Sequence, residues 1–208
     1  MMDARIHGLY AITAPALSGS AYLLEDCAAA LRGGARLLQY RDKQASDSER
    51  LTHSHSLASL CREHGAWLII NDDLALARRC GAAGVHLGQS DGDVAEARRQ
   101  LGDQAIIGVS CHNDPALARR AVAAGASYVA FGRFFQSHTK PQAPAADPSV
   151  LAEPLPVPKV AIGGVTPDNG ASLIRAGASA LAVIHALFAS QDIEATARQF
   201  ARLFPEDS

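Results

Sequence analysis

Apolar positions along this chain gather into short β-prone blocks separated by helix-like stretches, and one junction between the two recurs. Four times a helix-like stretch ends in Gly-Ala and runs straight into an apolar segment: LRGGARLLQYR, RRCGAAGVHLG, AVAAGASYVAFG and IRAGASALAVI. The glycines, Gly34, Gly81, Gly125 and Gly177, suit the position just past a helix end, where positive φ is wanted and a strand must begin at once. The copies recur about every 45 to 50 residues, too far apart for one βα unit and right for two. Four copies therefore predict eight strands.

The intervening strands stand where that count requires them, at Gly8 to Thr13, Trp67 to Asn71, Ala105 to Val109 and Val157 to Ile162. Near-continuous apolar strands alternating with helices imply parallel pairing buried on both faces. Eight alternations in a chain of 208 residues favour a closed (β/α)₈ TIM barrel, one catalytic domain over 1–208. An open Rossmann-like or flavodoxin-like sheet is the alternative, but no G-x-G-x-x-G follows the first strand. Pro141 to Pro158 holds six of the ten prolines, with a short helix expected near Ser149-Val150-Leu151. That stretch reads as a stiffened loop, either a surface connection or a lid.

Composition narrows the function more than the fold. A net charge of −2 without runs of like charge gives no footprint for nucleic acid or anionic lipid. The longest apolar stretches are strand-sized, far below a membrane span. Met1 to Arg5 carries an acid and lacks the form of a secretory signal, so a cytoplasmic location is expected. Cys27, Cys61, Cys80 and Cys111 form no C-x-x-C pair and read as core residues. His53 and His55, two apart on a helix, diverge rather than share a metal.

In a barrel of this kind, chemistry resides at the strand C-termini and the loops that follow. Strand 2 ends in Gln39, Arg41 and Lys43, alternating along an extended segment. Strand 3 ends Asn71-Asp72-Asp73, strand 4 runs into Gly88-Gln89-Ser90-Asp91, and strand 5 ends Ser110-Cys111-His112. Strand 6 is followed by Ser137-His138-Thr139-Lys140, strand 7 by Gly163-Gly164 and strand 8 by Ile184-His185. Arg41, Lys43 and Lys140 are cations suited to a polyanion such as pyrophosphate. Asp72 and Asp91 offer hard oxygens of the kind that hold Mg²⁺ together with substrate phosphate. Gly163-Gly164, leading into a helix start at Thr166, matches a backbone phosphate site. Each feature also has a bland reading, a surface salt bridge or a tight turn. Convergence on one rim weighs against it. His112 and His138 are candidates for acid–base work or ordinary loop residues.

QYRDK, IINDD, GVHLGQSD, IIGVSCH, SHTK and VAIGGVTPDN, in that order and each at a strand end, resemble the thiamine phosphate synthase family over nearly the whole chain. The resemblance implies joining of a hydroxymethylpyrimidine pyrophosphate to a thiazole phosphate, carboxylated or not, with release of pyrophosphate. Carried over by position, Gln39, Tyr40, Arg41, Asp42, Lys43, Asn71 and Lys140 would lie on the pyrimidine pyrophosphate side. Asp72 and Asp91 would hold Mg²⁺, and Ser110 would sit beside the pyrimidine. Ser137, His138, Thr139, Gly164, Ile184 and His185 would line the thiazole phosphate side. Arg41, Lys43, Asn71, Ser110 and Lys140 would carry the catalysis, with two phosphorylated small molecules as partners.

Departures fall mainly on the thiazole side. The family usually shows Gly-Pro and then Pro-Thr-x-Thr-Lys after strand 6, where this chain has Gly132-Arg133 and Gln136-Ser137-His138-Thr139-Lys140. Ala182 and His185 stand where hydroxyl residues are common. The rival readings are a thiazole tautomerase-like isomerase, with His112 moving protons, and a non-catalytic barrel that binds a phosphorylated ligand. The full set of cations and carboxylates favours the synthase.

Overall fold

The computed structural model describes residues 3–14, 22–137, 142 and 144–204. Eight parallel strands close into a barrel in simple sequential order. They are β1 (Gly8–Ile12), β2 (Ala35–Tyr40), β3 (Trp67–Asn71), β4 (Gly84–Leu87), β5 (Ile106–His112), β6 (Tyr128–Phe131), β7 (Lys159–Ile162) and β8 (Ala180–Val183). The helices are α1 (Leu23–Arg32), α2 (Asp47–Glu63), α3 (Leu74–Cys80), α4 (Val94–Leu101), α5 (Pro115–Ala123), α6 (Pro167–Arg175), the single turn α7 (His185–Phe188) and α8 (Ile193–Ala201).

The predicted glycine junctions are present, with φ of 101° at Gly34, 66° at Gly81, 100° at Gly125 and 117° at Gly177. Helix starts are built by side chains: Ser46 and Glu49 form a capping box on α2, and Asp73, Asp93, Asp114 and Asp192 cap α3, α4, α5 and α8. The sixth crossover departs from the pattern. Where an α-helix would lie, the proline-rich segment forms a 3₁₀ helix, Pro148–Ala152, with Val150 and Leu151 buried. Fixed φ and missing N–H groups at its prolines disfavour a longer helix.

Two layers of core result. The larger lies between the sheet and the helices and includes Leu9, Leu38, Ile70, Val129 and Leu181. The smaller fills the barrel interior with Tyr10, Leu37, Ile69, Ile106, Tyr128 and Val160. The ring is sealed where β8 pairs with β1. Outside that seam α8 crosses α1 at Gly33, where a Cβ would sit 2.4 Å from Ala197 Cβ. Arg32 Nε donates to Glu194 Oε2 at 2.8 Å across the same crossing. Cys27, Cys61, Cys80 and Cys111 are buried free thiols, as their spacing suggested.

Candidate active site at the barrel mouth

The C-terminal end of the barrel opens into a cavity of about 420 Å³, a size suited to small organic ligands. Gln39 and Arg41 line one wall, Asn71, Ser110 and His112 the next, and Ser137, Gly163, Gly164, Ile184 and His185 the far side. A smaller cavity of about 410 Å³ opens beside it, bordered by Asp42, Lys43, Asn71 and Asp72. Asn71 belongs to both, so the two spaces adjoin.

Local geometry explains how each motif delivers its groups. β2 ends at Tyr40, and Asp42 then turns the chain by accepting bonds from the N–H groups of Gln44 and Ala45 at 2.9 and 3.1 Å. Arg41 therefore lines the central cavity while Lys43 is carried to the outer one, rather than following Gln39 and Arg41 in register. Thr13 holds Arg41 in place by accepting its backbone N–H at 2.8 Å. Asp72 adopts φ 64°, a left-handed conformation that Asp tolerates better than most residues. Asn71 Nδ2 donates to Asp72 Oδ2 at 2.5 Å, and Lys43 Nζ lies 3.6 Å from the same oxygen. Its neighbour Asp73 does other work, capping α3 and pairing with Arg50 of α2 at 2.9 Å.

Asp91 is turned back toward the strand end. Its Oδ2 accepts from Gly88 N–H at 3.0 Å, and a Cβ on Gly88 would lie only 2.3 Å from that oxygen. Burial pushes the Asp72 carboxyl above its ordinary range, and the adjoining, like-charged Asp91 pushes it further, against Lys43 and Asn71. Two crowded carboxylates with oxygen donors only are the environment a hard dication relieves. Among the described residues no group of three or more His, Cys, Asp or Glu converges, so the protein's share of such a site is small. Mg²⁺, which keeps waters and substrate oxygens as ligands, fits that share.

On the far side, Gly164 has φ 68°, and a Cβ there would meet Gln136 O at 2.3 Å. Backbone bonds from Phe134 N–H to Ile162 O (3.3 Å) and from Phe135 N–H to Gly163 O (3.0 Å) press the loop after β6 against this turn. The Gly-Gly pair is thus required twice, for its conformation and for the close approach. Arg133 lines the cavity at this end and gives a bond from Nη1 to Phe135 O at 3.2 Å.

Tyr40 and Asp42 both border the outer cavity rather than the central one. Tyr40 lies 2% exposed in the layer between sheet and helices, its hydroxyl 3.1 Å from His53 Nδ1; it borders only the outer cavity. Strand alternation requires this, since residues on either side of Tyr40 face the barrel interior. Asp42 spends its Oδ1 on the turn after β2. His138, Thr139 and Lys140 lie outside the described residues. Gln89, passed over in the sequence, donates from Nε2 to Ser110 O at 2.6 Å, and Tyr10, His86 and Gln136 also line the cavity.

A closed parallel barrel with cations, paired carboxylates and a glycine turn converging on one mouth defines a small-molecule enzyme of the phosphate-handling kind. The profile of the thiamine monophosphate synthase family matches residues 9–187. A thiamine-phosphate synthase of Alcanivorax borkumensis is 55% identical over 206 residues, covering 96% of this chain and 95% of that one. One from Chromobacterium violaceum is 52% identical over 205 residues, covering 98% and 99%. Among solved structures, a thiamine phosphate pyrophosphorylase from Pyrococcus furiosus superposes with a TM-score of 0.88 at 29% identity, covering 97% of each chain. The chain belongs to the thiamine monophosphate synthase family, and its activity is that of a transferase, a thiamine-phosphate synthase.

Proposed function

We propose that the chain joins a hydroxymethylpyrimidine pyrophosphate to a thiazole phosphate across this cavity, with Mg²⁺ bound at Asp72 and Asp91. Arg41, Lys43, Asn71 and Lys140 hold the pyrophosphate, Gln39 and Ser110 address the pyrimidine, and Ser137, His138, Thr139, Gly164, Ile184 and His185 receive the thiazole phosphate. The observation that carries this reading is the pairing of a charged wall at Arg41, Lys43 and Asp72 with a glycine turn at Gly163-Gly164 across one mouth. Two anionic groups, one on each substrate, fit that pair.

The chemistry asks little covalent work of the protein. The bond between the pyrimidine methylene and the pyrophosphate oxygen breaks, and pyrophosphate leaves with the electron pair. The thiazole nitrogen then gives its lone pair to the methylene cation, forming the new carbon–nitrogen bond. No side chain need act as nucleophile. Mg²⁺ would supply charge neutralisation for the departing pyrophosphate. Arg41 and Lys43, with Lys140 as a third cation, stabilise the same developing charge. The cavity walls hold the two rings in line for attack and keep water from the cation.

A cytoplasmic location and the absence of a nucleic-acid partner belong to the same reading. The net charge of −2 without runs of like charge supports the second, and the form of Met1 to Arg5, unlike a secretory signal, supports the first; among the described residues no helix is long and apolar enough to cross a membrane. The test is direct: purified protein with both substrates and Mg²⁺ is expected to release pyrophosphate and form thiamine phosphate in equal amounts. Pyrophosphate release without coupling, or interconversion of thiazole isomers alone, overturns the reading.

A further inference from the structure

Beneath the cavity, five polar side chains from five strands form one continuous chain of hydrogen bonds through the barrel interior. Gln39 Nε2 of β2 donates to Tyr10 Oη of β1 at 2.8 Å, and Tyr10 Oη lies 2.8 Å from Tyr128 Oη of β6. Tyr128 Oη lies 2.8 Å from His86 Nδ1 of β4, and His86 Nε2 lies 2.9 Å from Ser110 Oγ of β5. Gln39, Tyr10 and Tyr128 are 2%, 1% and 0% exposed, and His86 is 9% exposed, so water does not substitute for these contacts. The fold makes room for them: a Cβ on Gly108 would lie 2.0 Å from Tyr128 Cζ, so only glycine admits the phenol ring.

Donor counting gives the chain a direction. Tyr10 oxygen already receives the Gln39 amide, so its own proton is spent on Tyr128. Tyr128 in turn gives its proton to His86 Nδ1, which must then be a lone pair. The imidazole proton lies on Nε2 and goes to Ser110 Oγ. The Ser110 proton, the last in the series, points to the cavity that Ser110 lines. Burial drives both phenols well above their ordinary pKa, so neither gives up its proton to break the sequence. Reversing the direction would leave the Tyr10 proton without an acceptor in this network, a costly state for a buried hydroxyl.

We propose that His86 is a positioning residue which, fixed by Tyr10 and Tyr128 as the Nε2–H tautomer, holds the Ser110 hydroxyl as a hydrogen-bond donor to an acceptor atom of the pyrimidine. A ring nitrogen is such an atom, and a ring presenting N–H at that point is rejected by two donors meeting. This rests on the placement of Ser110 at the pyrimidine side.

Long-range ¹⁵N correlation spectra of the histidine-labelled protein are expected to show His86 with a lone pair on Nδ1 and the proton on Nε2. Tyr128→Phe should convert it to a mixture of tautomers. In steady-state assays His86→Leu and Tyr128→Phe should lower kcat about tenfold or more with little change in KM, and His86→Gln, which keeps a donor near Ser110, should recover most of the loss. Melting temperatures of all variants identify any that fail to fold, and the spectrum of the unmodified protein decides the tautomer without them. A proton on Nδ1 in that spectrum, or equal kcat for His86→Leu and His86→Gln, overturns the proposal. Absence of thiamine phosphate from the unmodified enzyme instead overturns the functional reading and leaves the tautomer result standing.

Discussion

At the N-terminal end of the barrel, Arg98 gives its guanidinium to the carbonyls of Gly102, Asp103, Ala105 and Gly125 and to the Ser127 hydroxyl, at 2.8 to 3.2 Å. Arg5 beside it is held by Asp3 at 2.7 Å and lies over the Trp67 ring. At the C-terminal end, Asp72 faces Asp91 across a like-charge contact that the exposed Lys43 only partly offsets. Among the described residues Arg41 joins no ion pair. One rim uses charge to tie loops and helix ends together, so its cations are saturated. The other holds charge out of balance, and the proposed metal and anionic substrate would restore that balance.

The sharpest way to break the comparison is to withdraw the metal. Chelation by EDTA should abolish pyrophosphate release and added Mg²⁺ should restore it, while the melting temperature without substrates stays near its original value. Asp72→Asn should impair activity in the same assay and yet raise the melting temperature, because it removes one of two crowded carboxylates. Next in size, Arg41→Ala should lower kcat/KM about 100-fold or more without destabilising the fold, since a preorganised cation on the leaving group is lost.

Substitution at the opposite rim should do the reverse. Arg98→Ala removes a charged donor set and should cost about 2–3 kcal/mol in denaturant unfolding, with kcat unchanged at temperatures where the variant stays folded. The smallest effect concerns Asp3, whose carboxyl the Arg5 guanidinium holds below its ordinary pKa of 3.8. A depressed folded pKa means stability that is present above 3.8 and fades as pH falls through the lower folded value. Melting curves of Asp3→Asn should therefore converge with the unmodified protein only under strongly acid conditions.

The barrel was legible because its αβ junctions are tight: Gly34, Gly81, Gly125 and Gly177 each mark a point where helix must become strand within a residue or two. Arg41, Asn71, Ser110 and Gly164 were legible because strand ends in this fold share one rim. The placing of Tyr40 was legible too, since alternation sends its ring to the helix layer while Gln39 and Arg41 face inward, so that it borders only the outer cavity. Asp42 illustrates a limit, for an Asp after a strand serves a turn or a ligand equally well until its neighbours are seen. Tyr10, His86 and Tyr128 read singly as core residues. Only the registers of β1 with β2, of β4 with β5 and of β5 with β6 bring them into one network.

The seam between β1 and β8, covered by α8 against Gly33 just past the end of α1, also governs when the protein can become an enzyme. A ribosome delivers β1 first and β8 last, and until the final strand emerges β1 has one unpaired side. Its pairing partner is the most distant strand in the chain, so ring closure is a late, non-local event. The mouth, whose walls come from both halves of the ring, is assembled only at that moment, and a nascent chain exposes its sheet edges until β8 has emerged.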